Sequence, residues 1–308
     1  APDGGVYVAG YTDSVDFPVT PNAFQPFARA RGVYPEGFLF RLSPAGDAIS
    51  YATYLGTKGS DRIDAVAVDG SANVYVAGVS DSDRWPVTAG AAQPTCPGLG
   101  NGVFLAKLRQ GGVAIEYLTR VCGSGHEEVT SLVVDSQGRA YLAGVTSSPD
   151  FPVTPNALRT VNSGLGSDGF LTVIAVDGRS FVFSTYLGGS FDDGASAVAL
   201  DSAGRIWVSG YTASPDFPTT PDALQSSHGT GGFSYDAFVL QLGLEVPELV
   251  YSTLVGGTGD DIPTALVAPK ESGEIFMAGY TTSADLPLMP QACLPGYRGG
   301  RDGFVAWF

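Results

Sequence analysis

The dipeptide Ala-Gly or Ser-Gly closes an apolar segment five times along this chain, at Gly10, Gly78, Gly144, Gly210 and Gly279, with spacings of 68, 66, 66 and 69 residues. A period sustained over the whole length means an array of similar supersecondary units, each too small to bury its apolar face alone. That overrides the expectation of about two domains that length alone would suggest. The repeat predicts a single domain over residues 1–308, with units at approximately 1–63, 64–129, 130–195, 196–262 and 263–308.

Each unit reads as four short strands. The first alternates and ends in Asp, as in Asp64–Asp69, Thr130–Asp135 and Ser196–Asp201; Pro263–Ala268 lacks the Asp. A turn leads to the second, Val74–Gly78, Ala140–Gly144, Ile206–Gly210 and Ile275–Gly279. The third is Gly37–Phe40 and its copies at Val103, Gly169, Ala237 and Gly303; the fourth is Ser50–Gly56, recurring at Ser184 and Tyr251. β-branched and aromatic residues between turn residues are the mark of strands, and the 42 glycines and 21 prolines oppose helices. Four consecutive strands with no helix between them form an antiparallel meander. Because both alternating faces of Val74-Tyr-Val-Ala77 are apolar, each sheet must be covered on both sides. Radial packing of four-stranded sheets meets that requirement. The predicted fold is all-β: a β-propeller of about five four-stranded antiparallel blades of roughly 66 residues, the first and last blades incomplete. Five copies of the second and third strands against four of the first and fourth leave open whether five blades close a ring or belong to a larger one.

The order A-V-A-V-D, V-Y-V-A-G-Y-T, S-x-D-F-P, G-F-L and Y-S-T-Y-L-G-G, over essentially all of the chain, resembles the bacterial SBBP-type β-propeller repeat. The resemblance implies a propeller in a bacterial surface or secreted setting, and it implies no catalytic residues.

With 31 acidic residues against 16 basic ones the formal charge is -15, a field that repels phosphate backbones and anionic lipid. Nucleic acid and membrane insertion are therefore not expected as partners. No run approaches the roughly 18 apolar residues of a membrane span, and the opening APDGGVYVAG lacks the charged and apolar regions of a signal peptide. Cys96, Cys122 and Cys293 fit no zinc or redox spacing. Cys96 with Cys122, in one repeat, is the candidate disulfide; buried thiols are the alternative.

In a meander the loops after strands two and four emerge together, and that face collects acids at three repeated positions. The loop after strand two carries Asp16, Asp150, Asp216 and Asp285, with Arg84 in the remaining copy. Before strand three stand Glu36, Asp168, Asp236 and Asp302, with Asn101 in the remaining copy. Between units lie Asp61, Glu127, Asp193 and Asp261, doubled by Glu128, Asp192 or Asp260. Asp61, Asp192, Asp193, Asp260 and Asp261 are candidate calcium ligands, since hard oxygen donors suit that ion. The dense spacing of a dedicated calcium loop is missing, and the competing role is capping of turns by backbone amides.

An enzyme would need residues that break the repeat. His126, His228, Arg84, Trp85, Arg120 and Glu128 do so, without a nucleophile or zinc motif. A carbohydrate-active hydrolase using loop-face acids is the alternative. The favoured expectation is an exported, non-catalytic scaffold or binding module whose partner is a protein or glycan, with Trp85, Arg84, Tyr34, Tyr235 and Tyr297 as candidate contacts. Within the recurring SPDFPVTPNAL at Ser148–Leu158, Phe151 is placed to bury and Leu158 to pack inward. Thr154 is placed to N-cap a short helical turn begun by Pro155.

Overall fold

The computed structural model describes the chain except residues 83, 99–100, 110, 113, 163–165, 230–233, 245–246, 270–272 and 290–295. The described residues contain eighteen strands and no helix. They form five antiparallel sheets in which chain order is sheet order. The first holds β1 (Val6–Thr12), β2 (Glu36–Leu42) and β3 (Ile49–Leu55). The second holds β4 (Asp61–Val68), β5 (Val74–Ser80), β6 (Gly102–Leu108) and β7 (Ile115–Val121). The third comprises β8 (Glu127–Val134), β9 (Ala140–Thr146), β10 (Asp168–Ile174) and β11 (Phe181–Leu187). The fourth comprises β12 (Asp193–Leu200), β13 (Ile206–Thr212), β14 (Asp236–Leu242) and β15 (Leu249–Val255). The last has β16 (Asp261–Val267), β17 (Phe276–Thr281) and β18 (Asp302–Trp307). The strand census is the one the repeat predicts, down to the two three-stranded sheets.

The chain divides into two compact units, one of Ala1–Leu142, Ser148–Pro152 and Thr172–Val182, the other of Ala143–Ser147, Val153–Leu171 and Phe183–Phe308. Within the first, β4 lies against β1 and β2, and β8 against β4, β5 and β6. Leu39, Tyr51 and Leu55 of the first sheet thus share a core with Val74, Val76, Phe104 and Leu108 of the second. Within the second, β16 lies against β12, β13 and β14, and Ala197, Trp207 and Val239 pack with Leu266, Met277 and Phe304. Every residue of β5, β6 and β14 is buried, which is why their two faces are both apolar.

The periodic glycine has a steric cause. Register shifts between Ile63 and Ala65, Ala195 and Ala197, and Pro263 and Ala265 mark a β-bulge in each of these first-position strands. The bulge pushes a carbonyl toward the second strand. A Cβ on Gly78, Gly210 or Gly279 would lie 1.8, 2.0 or 2.1 Å from the carbonyl oxygen of Arg62, Gly194 or Ile262, so only glycine fits.

The loop after each second strand braces its sheet. Its large apolar residue stacks on the phenylalanine of the third strand: Phe17 on Phe38 at 4.8 Å, Trp85 on Phe104 at 4.2 Å and Phe217 on Phe238 at 4.5 Å between ring centroids. Phe151 is buried as expected. The threonine acts otherwise than expected. Residues 151–160 form turns without a helix, and Thr154 accepts the Ser184 N–H through Oγ1 at 3.0 Å while its own N–H donates to the Ser184 carbonyl. Thr20 and Thr220 bond Ala52 and Ser252 in the same way. Each loop therefore covers the free edge of a fourth strand, a position that would otherwise template aggregation. That outward course explains why Leu158 and Leu224 do not pack inward but stand 38% and 74% exposed.

Candidate functional site

The acid that opens each first-position strand lies fully inside the protein. Asp61 accepts the N–H and hydroxyl of Thr57, the Ser80 hydroxyl and the Trp85 indole N–H, the last at 3.0 Å. Asp193 accepts the Gly189 N–H at 2.6 Å and the Ser214 hydroxyl at 2.8 Å, and Asp261 accepts Gly257 and Ser283 at 2.8 and 2.7 Å. Glu127 accepts the Ser148 hydroxyl. These are turn caps whose acceptor is ionisable, and the donors replace the water that burial removes from it.

The acids ahead of the third strands join them. Glu36 accepts the Ala30 N–H at 3.0 Å and the Gln25 amide; Asp236 accepts Gly229 at 2.8 Å and Gln225 at 3.2 Å. Gly56 and Gly188 sit between the two carboxyls of a pair. A Cβ there would meet Glu36 at 2.6 Å and Asp61 at 2.9 Å, or Asp193 at 2.4 Å and Asp168 at 2.7 Å. Desolvation lifts Glu36, Asp61 and Asp236 above the usual carboxyl range. Asp193 is pushed up to about 6, first by burial, with the Asp168 charge adding to it. Within a pair the charge of one acid raises the other, Asp61 acting on Glu36 and Asp168 on Asp193.

The outer acids behave oppositely. Asp150, Asp216 and Asp285 accept the N–H of Ser124, Ser190 and Thr258 at 2.7, 2.8 and 2.8 Å. Hydrogen bonds from those residues hold all three carboxyls below the usual range. Of the candidate calcium ligands, Asp192 accepts the Ser167 N–H at 2.9 Å and Asp260 the Tyr235 N–H at 3.2 Å. Among the described residues no group of three or more His, Cys, Asp or Glu side chains is placed to hold a metal ion.

The residues that break the repeat are scattered in role. Trp85, read from sequence as a partner contact, is 5% exposed and braces its own sheet, because an indole in the phenylalanine slot reaches Asp61. Arg120 is buried and donates to the Ser82 carbonyl at 2.6 Å. His228 is held by the Gly229 and Thr212 carbonyls, and the Asn101 N–H donates to His126 Nδ1 at 3.3 Å. Tyr235 packs edge-on against Tyr211 at 5.1 Å, whereas Tyr34, Tyr297 and Arg84 are exposed. Cys96 and Cys122 form a disulfide; Cys293 lies outside the described residues.

The sequence reading missed a basic surface. In the loop joining β1 and β2 a cleft is lined by Phe24, Phe27, Arg29 and Arg31, with Lys58 from the turn after β3. Phe27 is 78% exposed, and among the described residues Arg29, Arg31 and Lys58 have no side-chain hydrogen bond or ion pair. The signal was available: Lys58 stands where the other copies have Ser124, Ser190 and Thr258, and Arg84 where they have Asp150, Asp216 and Asp285.

No protein-family pattern matches the chain, and no curated protein matches it. Among solved structures it is similar to the crystal structure of a protein of unknown function from Dyadobacter fermentans, at 9% identity and a TM-score of 0.42, over 92% of this chain and 73% of that one.

Proposed function

We propose that the chain is a β-propeller of the SBBP type, exported to a bacterial surface, and that it works as a non-catalytic binding module for an anionic glycan. The successive meanders and the stacking of one sheet on the next within each unit support the propeller. The observation that carries the binding role is the cleft of Phe27, Arg29, Arg31 and Lys58. It occurs in one copy, whereas the repeated acids are taken up in bracing. Against the repulsion of the net negative charge, the cations of this one cleft, unpaired among the described residues, form a local attractive site, and with the exposed ring beside them they suit a ligand with carboxylate or sulfate groups and an apolar sugar face. The buried first-position acids are closed to a polysaccharide, which weighs against hydrolysis.

Calorimetry with a polyuronate, a sulfated glycan and a neutral glucan tests this. The charged polymers should bind in a salt-sensitive way, and Phe27→Ala or the pair Arg29→Ala and Arg31→Ala should weaken binding at least tenfold. Equal binding of the neutral polymer, or variants that bind like the parent, would refute the proposal.

A further inference from the structure

The segment that carries Phe27, Arg29 and Arg31 is held from beneath. Ala30, between the two arginines, is 5% exposed. Its N–H donates to Glu36 Oε2 at 3.0 Å, and its C=O accepts the Val33 N–H at 3.0 Å. Arg31 follows in the left-handed backbone region, at φ 54°. A residue with a side chain keeps that conformation only where its surroundings fix it.

Gln25 fixes the other end of the segment. It is 4% exposed, and each of its polar groups is engaged. Its backbone N–H donates to Thr53 Oγ1 at 2.8 Å and its C=O accepts the Tyr54 N–H at 3.1 Å, which ties it to β3. Its Oε1 accepts the Gly56 N–H at 3.2 Å, while Nε2 donates to the Phe27 C=O at 3.2 Å and to Glu36 Oε1. Both oxygens of Glu36, itself 1% exposed, are therefore taken by N–H donors from the segment above.

The fourth sheet holds its matching loop with the same groups and one difference. Gln225 bonds Gly256, Ser227 and Asp236 as Gln25 bonds Gly56, Phe27 and Glu36. There Gly229 and Gln225 both reach Asp236 Oδ2, and among the described residues Asp236 Oδ1 accepts no hydrogen bond. In the second sheet Asn101 stands in place of the acid, and Gln93 bonds the backbone of Cys122 instead. Holding the loop is thus common to these sheets; in the first, the held segment presents a ring and two cations.

We propose that Gln25 and Glu36 are positioning residues of this cleft, setting Phe27, Arg29 and Arg31 against Lys58 so that one anionic ligand meets the ring and the cations together. The proposal rests on the anionic-glycan reading given above. A segment ordered in advance spares the ligand the cost of ordering it.

Calorimetry of the whole chain with dextran sulfate, together with hydrogen exchange over residues 27–31, tests this. In Glu36→Gln an amide replaces one of two accepting oxygens, so either the Ala30 N–H or the Gln25 amide loses its acceptor. Weaker protection of the segment and at least tenfold weaker binding are expected. The salt dependence of binding should also become shallower, because fewer cations meet the polymer at once; a loss of general stability would leave that slope unchanged. Asp236→Asn can turn its NH2 to the open side and should bind like the parent. Exchanging the groups, Gln25→Glu with Glu36→Gln, restores a donor and an acceptor between the two side chains and keeps acceptors for Ala30 and Gly56. The exchanged pair should bind more tightly than either single change; if one single change prevents folding, the other is compared with the pair. A parent that does not bind dextran sulfate overturns the glycan reading. Unchanged protection of residues 27–31 in Glu36→Gln overturns the positioning role whether or not the polymer binds. So does a Glu36→Gln protein with the parent's affinity and salt slope when Phe27→Ala has lost both.

Discussion

The indole N–H of Trp85 donates to the Asp61 carboxylate across 3.0 Å, tying the loop after β5 to the first residue of β4 in the same sheet. Other copies fill this slot with Phe17, Phe151 or Phe217, so the ring stacks in either case and only the hydrogen bond is particular to the second sheet. Trp85→Phe should therefore cost about 1–2 kcal/mol, through one lost donor to a buried acceptor. Trp85→Ala removes the ring as well and should cost about 3–5 kcal/mol. Chemical denaturation of the three proteins measures both steps, and a Trp85→Phe protein as stable as the parent would show that the indole N–H contributes nothing.

Asp193 gives the stability a particular pH dependence. Its carboxyl titrates at about 6 in the folded protein, against an ordinary 3.8. Between those values the folded chain holds a proton that the unfolded chain has lost. The contribution of this group is complete below about 3.8 and is lost as pH rises through 6. Asp193→Asn cannot titrate, so its stability relative to the parent should improve as pH rises from 4 to 7, at up to about 1.4 kcal/mol per unit. Asp201 acts in the opposite sense, since hydrogen bonds from Arg205 and Trp207 hold it low. Its contribution is present above the ordinary carboxyl range and is lost on acidification. Thermal melts of parent and both Asp→Asn variants across pH 3–8 separate the two; parallel curves would contradict the assignment.

Ala72 occupies a left-handed backbone slot, at φ 61°, that Gly4, Gly138, Gly204 and Gly273 fill in the other turns. A Cβ in that conformation costs about 1–2 kcal/mol, partly offset by the greater chain entropy of glycine. Ala72→Gly should therefore stabilise the protein by up to about 1 kcal/mol, seen as a higher denaturation midpoint. The reverse change, Gly204→Ala, has open space around its Cβ and should destabilise by a similar amount through the backbone alone.

The Cys96–Cys122 disulfide closes a loop of 26 residues, worth about 3 kcal/mol by chain entropy. Reductant should lower the melting temperature of the parent. A Cys96→Ser, Cys122→Ser variant should start at the lower value and ignore reductant. A parent insensitive to reductant would show the bond to be unimportant to stability.

Much of the fold is legible in the residues, because a 66-residue period and strand-length alternation are local properties. Strand identity, the count of each strand type and the burial of Phe151 all follow from the pattern along the chain, whereas Trp85, which the sequence offers as a partner contact, is buried. The course of the DFPVTP loop does not follow from that pattern. Thr154 before a proline looks like a helix cap, and only the nearby edge of β11 decides that its hydroxyl and N–H bond to Ser184 instead. Leu158 is carried outward by the same course. The acids were readable as a repeated set, but their depth was not, since a carboxylate at a strand start is exposed or enclosed according to what the next loop lays over it.

The sequence by itself determined the repeat, the all-β character and the positions that glycine must hold, because steric and periodic constraints act between near neighbours in each unit. Tertiary structure alone decided which hydroxyl meets which acid. It alone placed Lys58 beside Arg29, Arg31 and Phe27. Those relations join residues brought together by folding, and no spacing along the chain encodes them.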